Sequence, residues 1–314
     1  EDTKGLWQVI EELPDWSLDI INISGDQDPQ QSAEVWMKAD LAKPVNLAKA
    51  PLFHQVLFKA ANDRFFFYLR YHHIVMDGFG QTLYWQNVAK IYSKLVARSH
   101  SNDSIPNPLE ILLEEDSLYR ESSHFERDQN FWLQKFADQP EPARLADRSL
   151  MVSRSLLRRK VNLSSSNIQK LQAITNLTQT RWSIIAIATT AAYIHYLTGL
   201  EEIVLGLPVS TRLTPVSRNT PCMLANELPL RLTVHPTMSL LELVRQVSEQ
   251  VGLVLKHQCY RGEDLHRELR YSSGNQDLYG PVVNVISFDH HINFPKAITT
   301  AHHLSSGPVK DILI

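Results

Sequence analysis

The sequence has little of what marks several large functional classes. It carries two cysteines in 314 residues, Cys222 and Cys259, and their spacing matches no metal-ligand pattern. Free thiols in a reducing cytosol are the expectation for them, with a disulfide as the alternative. Net charge is only −3, so neither nucleic acid nor an anionic membrane is an expected partner. No G-x-S-x-G serine elbow occurs. Residues 1–7 (EDTKGLW) do not have the pattern of a signal peptide. The longest apolar run, 182–197, is interrupted by Ser183, Thr189, Thr190 and His195. It is too short and too polar to span a bilayer and reads as a buried helix. There is no internal repeat and no low-complexity stretch. A cytoplasmic protein is expected.

What is present is an ordinary globular composition, 43% hydrophobic and 21% charged, with length for about two domains and a large core. Residues 52–59 and 64–71 (RFFFYLRY) read as strands separated by Asn62 and Asp63. The second is apolar on both faces, which predicts a central strand. Tyr84, Trp85, Val88, Ile91, Tyr92, Leu95 and Val96 then recur at helical spacing. A polar linker at 99–108 leads to a charged helical region, 109–136. The proline-bearing stretch 137–149 is expected to divide two lobes, 1–145 and 150–314. In the second, strands are expected at 156–163, 203–209 and 281–288. Helices are expected at 182–198, stopped by Gly199, and from Ser239, whose S-x-x-E spacing to Glu242 is a capping box. The alternation indicates a mixed α/β protein.

The most informative stretch is 71–80, Tyr-His-His-Ile-Val-Met-Asp-Gly-Phe-Gly, between a strand and a helix. Histidine titrates near neutrality and can take a proton from a nucleophile. Asp77 can fix the loop, and Gly78 lets the backbone approach a substrate. Two other doublets, His290-His291 and His302-His303, lack the Asp-Gly and act as internal controls. A metal is not expected here, since two adjacent histidines and one aspartate make no zinc spacing.

This decapeptide resembles the His-His-x-x-x-Asp-Gly motif of the condensation domains of nonribosomal peptide synthetases. Further segments follow in that family's order. They are Tyr119-Arg-Glu-Ser with Arg127-Asp-Gln-Asn-Phe-Trp132, then Gly206-Leu-Pro-Val-Ser-Thr-Arg212, Met223-Leu-Ala-Asn-Glu-Leu-Pro-Leu-Arg231 and His257-Gln-Cys-Tyr-Arg-Gly-Glu-Asp264. Gly280-Pro-Val-Val-Asn-Val and Ser306-Gly-Pro-Val-Lys-Asp311 look most like catecholate-siderophore synthetases of the enterobactin and vibriobactin kind.

The resemblance implies two chloramphenicol-acetyltransferase-like lobes in a V, and amide formation between a donor acyl thioester and an acceptor aminoacyl thioester. Both substrates ride on phosphopantetheine arms of carrier proteins. The domain itself binds no cofactor and no metal, and an adenylation domain is expected in the same polypeptide. His73 and Gly78 take the catalytic positions; His72 and Asp77 are motif or structural residues. Asn284 is implied to position substrate, against a reading as a buried core amide sharing a strand face with Val282, Ile286 and Phe288. Arg212 is a lobe-interface candidate, against a solvated surface arginine. His257 is expected to be structural, at a helix end; Trp85 and Trp182 are expected on helix core faces. The family's opening helix, its arginine-rich motif and its last strands are expected outside residues 1–314, together with the arginine that pairs with Asp77. Three alternatives stand beside this reading: an epimerization domain, a coenzyme A-dependent acyltransferase of the same superfamily, and a catalytically silent carrier-docking module.

Overall fold

The computed structural model describes residues 8–10, 15–98, 108–145, 157–269, 277–286, 292–305, 307 and 312–314. The chain divides into two compact units, Glu1–Asp77 and Gly78–Ile314.

The first unit is a βαβ crossover with an added antiparallel strand. Strand β1 (Asp19–Asn22) is followed by helix α1 (Pro29–Leu41), β2 (Phe53–Lys59) and β3 (Phe65–Tyr71). Helix α1 starts where it does because the Asp28 side chain accepts from the Gln31 N–H and Pro29 fills a first-turn position, where a missing N–H costs nothing. Sheet order is β1-β2-β3, with β1 parallel and β3 antiparallel to β2. Ile23, Ala33, Met37, Val56, Phe58, Ala60 and Tyr68 form its core. The expected central position of 64–71 is corrected: among the described residues β2 is the middle strand, and β3 buries only Tyr68. Aromatic residues suit a half-buried pleated surface as well as a doubly covered one, so their run did not discriminate.

The second unit holds α2 (Gly78–Val96), α3 (Leu109–Arg120), α4 (Ser123–Lys135), α5 (Ser165–Thr178), α6 (Trp182–Thr198), β4 (Glu202–Val209), β5 (Asn226–Thr233), α7 (Leu240–Lys256) and α8 (Gly262–Glu268). Helix α6 stops at Gly199, in the left-handed region at φ 71°. Helix α7 carries the expected capping box, Ser239 with Glu242, and buries Leu243, Val244, Val247, Val251 and Val254 along one stripe. Each such aliphatic contributes about 1.5–3 kcal/mol when fully buried. The stripe, α6 and the antiparallel pair β4–β5 share one core with Trp132 and Phe136 of the α4 region. Trp132, Phe136 and Ala143 thus share this core with buried residues from Ile184 to Val283, while 146–149 of the expected lobe boundary lie outside the described residues.

Two expected strands differ. Residues 157–163 have no regular structure, with Leu157 and Val161 largely exposed. Arg158, Arg159 and Lys160 follow one another there and put charge on both faces of the stretch; Leu156 lies outside the described residues. The described part of 281–288 is a bridging segment, parallel to β4 through Gly206 and to residue Leu313 on its other side. Gly206 permits this approach, because a Cβ there would lie 2.7 Å from the Tyr279 ring and 2.9 Å from Val282. Among the described residues, no helix is long and apolar enough to cross a membrane.

Candidate active site

The histidine loop leaves β3 at Tyr71 and is anchored through its first histidine. The His72 N–H donates to the Leu52 carbonyl (2.9 Å), and the His72 carbonyl accepts from Val75 N–H (3.1 Å). The His72 ring closes the turn, since Nδ1 accepts from the Ile74 N–H at 3.1 Å. A neutral His72 in this bond carries its proton on Nε2. His73, one residue on, is exposed. Among the described residues no hydrogen bond or ion pair engages its ring. One histidine is spent on holding the turn; its neighbour is left available.

Asp77 is buried, at 3% exposure. Its charge acts on Tyr71, whose hydroxyl is pushed up to about 12, by burial first and by Asp77 second. Gly78 is the first residue of α2 and is exposed. Its carbonyl accepts from the Thr82 hydroxyl (3.1 Å), whereas its N–H belongs to the helix's first turn and has no intrahelical acceptor.

Arg212 is not a solvated surface arginine. It is 4% exposed and donates to the carbonyls of Ser217, Thr220 (2.8 Å) and Cys222 (2.7 Å). Its guanidinium stands 5.0 Å from the centroid of the Phe79 ring, next in sequence to Gly78. Planar forked donors suit several carbonyls at once, which is why an arginine can organise this loop.

Asn284 shares a face with Val282 and Ile286 as expected, but that face is open rather than core. Asn284 is exposed, while Val283 is buried and Val285 packs on the core. Phe288 lies outside the described residues. The Asn284 backbone is held by its N–H donating to Ile314 O (2.8 Å), and the Val283 N–H donates to Gly206 O (2.9 Å). The buried-amide reading therefore falls, because the alternation put the neighbouring valines, not Asn284, against the core.

Other motif-like segments of the sequence, far apart along the chain, meet in the structure. His257, 5% exposed at the end of α7, has Nδ1 2.8 Å from Asp128 Oδ1 and stacks on Phe131 with ring centroids 3.9 Å apart. The Tyr119 hydroxyl donates to Asp128 Oδ2 (3.1 Å), Arg127 to Oδ1 (2.8 Å), and the Trp132 indole to the His257 carbonyl (2.9 Å). Asn226 donates to Gln258 O and Tyr260 O and accepts from Gly262 N–H and Glu227 N–H. Segments 119–132, 223–231 and 257–264 thus form a buried clamp. Only the family's motif order hinted at it. Trp182, expected in the core, is 45% exposed at the start of α6. Both cysteines are free thiols, and no group of metal-ligating side chains occurs among the described residues.

These features have counterparts in known proteins. The Condensation domain family profile matches residues 1–313. The dimodular nonribosomal peptide synthase of Bacillus subtilis (strain 168) is 43% identical over 314 residues, covering 100% of this chain and 13% of that protein. Enterobactin synthase component F of Escherichia coli (strain K12) is 29% identical over 318 residues, covering 99% of this chain and 24% of that protein. The chain therefore spans a quarter or less of these two relatives. Among solved structures, a variant of the starter condensation domain of rhizomide synthetase RzmA in complex with C8-CoA matches with TM-score 0.87 and 38% identity, over 96% of this chain and 68% of that one. The first condensation domain of the calcium-dependent antibiotic synthetase, with a substrate analogue, matches with TM-score 0.81 and 33% identity, over 95% and 68%. The mixed α/β architecture, the histidine loop between β3 and α2, and a family match across nearly every residue agree: the chain belongs to the condensation-domain family of nonribosomal peptide synthetases.

Proposed function

We propose that this chain forms an amide between a donor acyl thioester and the amine of an acceptor aminoacyl thioester, each on the phosphopantetheine arm of a carrier protein. Two chloramphenicol-acetyltransferase-like lobes, a neighbouring adenylation domain and a siderophore-type product are parts of the same proposal. The observation that carries it is the division of labour within the doublet: His72 is tied into the turn by backbone and ring, and His73 is exposed with no such engagement.

The acceptor nitrogen attacks the thioester carbonyl carbon, the tetrahedral intermediate collapses, the C–S bond breaks, and the donor arm leaves as a thiolate. An α-amine has a pKa of roughly 7.7–8.0, so a minority is already free near neutrality. His73 orients that amine and takes its proton as the C–N bond forms, then returns it to the departing sulfur. The Gly78 N–H, which has no intrahelical acceptor in the first turn of α2, is the donor for the developing oxyanion. Asn284, an exposed amide on the open face of the bridging segment, positions substrate. Arg212 and Asp77 are buried and organise backbone.

The test is single-turnover amide formation by the full-length protein with both carriers loaded. His73→Ala should lower the rate by about 10²–10⁴-fold, the usual scale of acid–base help. An unchanged rate would sink the assignment. Turnover of acyl coenzyme A in place of the loaded donor carrier would favour the acyltransferase reading instead.

A further inference from the structure

A buried carboxylate lies beneath the strand that carries the histidine loop. Asp40, in the last turn of α1, is 2% exposed. Its Oδ2 accepts from the Tyr68 hydroxyl (3.0 Å) and faces Arg70 Nε (3.2 Å), while Oδ1 faces His54 Nδ1 (3.2 Å) and Lys43 Nζ (3.5 Å). Arg70 also donates to the Asp40 and Lys43 carbonyls. The other ring nitrogen of His54 faces Asp19 on β1, at 3.4 Å. An uncompensated buried charge costs several kcal/mol, so the carboxylate persists only because these donors surround it. Burial alone would raise its pKa; the hydrogen bonds from His54 and Tyr68 and the charge of Arg70 outweigh burial and hold it below the usual carboxylate range.

The placement of the donors is specific. Tyr68 and Arg70 are two apart on β3 and so share a face. His54 on β2 lies directly opposite Arg70, and the next pair toward the loop is Phe53 with Tyr71. Beyond that pair, Leu52 O accepts the His72 N–H. One carboxylate therefore staples α1 to both strands, one residue pair from the point where the loop hangs. A charged group is not needed for stability at such a spot, since apolar replacements of buried ion pairs are often neutral or stabilising. What directional bonds add is geometry: they fix where the end of β3 sits relative to α1.

We propose that Asp40, acting through Arg70, Tyr68 and His54, is a positioning residue for the His72–His73 turn. The proposal rests on the condensation reading for its kinetic arm only. Asp40→Asn keeps the volume and an acceptor for Tyr68 but removes the charge that holds Arg70 and His54. In the full-length protein, kcat should fall about ten- to hundredfold, the scale of a small misplacement, with KM for both loaded carriers unchanged. A second arm needs no activity. Diethyl pyrocarbonate labelling, mapped by mass spectrometry, should modify exposed His73 faster than His72 in the parent, and that preference should fall toward equality in Asp40→Asn. Met37→Ala, in the same helix, is the control for stability loss alone and should leave both readouts unchanged well below its unfolding midpoint. Should Asp40→Asn fail to fold, Tyr68→Phe removes one donor and should shift both readouts in the same direction, less far. Parent-like labelling and kcat in the folded variant, or the same changes in Met37→Ala, would overturn the proposal. If the parent forms no amide, the condensation reading fails, and the labelling arm still decides on Asp40.

Discussion

His73 and His257 both lie in segments that look like family motifs, yet the fold treats them in opposite ways. His73 sits on an exposed turn, with its ring outside any hydrogen bond among the described residues. His257 is buried, bonded to Asp128 and stacked on Phe131. Asp128 in turn receives Tyr119 and Arg127, so the imidazole is one member of a closed polar network. A buried ring with Nδ1 bonded to a carboxylate and its face stacked on a phenyl ring cannot move toward a substrate freely. A ring on a turn held by its neighbour can. Motif membership is equal for the two; availability separates them.

That contrast can be broken experimentally, and the largest effect is expected at His73. His73→Ala should cost about 10²–10⁴-fold in single-turnover rate and less than about 0.5 kcal/mol in stability, read by denaturant unfolding of the same preparation. Asp128→Ala should do the reverse. Removing one member of a buried charged network costs about 3–5 kcal/mol, while the rate per folded molecule stays at the parent value well below the unfolding midpoint. A parent-like stability with a collapsed rate would move His257 into the active site and end the contrast.

A smaller effect distinguishes the staple in the first unit from the clamp in the second. The pKa of Asp40 is depressed in the folded state. Its contribution is therefore fully present above the unfolded value of about 3.9 and is lost as pH falls through the lower folded value. The groups facing it are His54, Tyr68, Arg70 and Lys43. The stability gap between the parent and Asp40→Asn should thus narrow as pH drops below about 4, in urea titrations at successive pH values. A gap that widened on acidification would contradict the sign. The smallest effect is expected at the capping box of α7. Ser239→Ala should cost about 1 kcal/mol in thermal unfolding, with no change at the histidine loop, because among the described residues the Ser239 side chain bonds with Glu242 in its own first turn.

Several parts of this picture were legible in the sequence for local physical reasons. Helix α6 and its stop at Gly199, the capping box at Ser239, and the placement of 71–80 between a strand and a helix follow from short-range signals. The face that Asn284 shares with Val282 was also readable, because side-chain alternation is a property of the backbone. Its burial was not, since alternation names two faces without saying which meets the core. Arg212 shows the same limit: its acceptors at Ser217, Thr220 and Cys222 are backbone carbonyls, which are present at every position and mark none. The expected strand at 156–163 had an apolar beginning but no partner among the described residues.

The sequence by itself therefore determined helices α2, α6 and α7, the strand-then-helix setting of the histidine loop and, through the order of its motifs, the condensation family. Tertiary structure alone decided which histidine is committed and which is free, that Asp128 and Asn226 lock distant segments together, and that Asp40 meets residues 14, 28 and 30 positions away. The reason lies in range. Caps, periodicities and turns depend on neighbours within a few residues, whereas the burial of a charge and the identity of its partners depend on which elements pack, and no spacing along the chain encodes that.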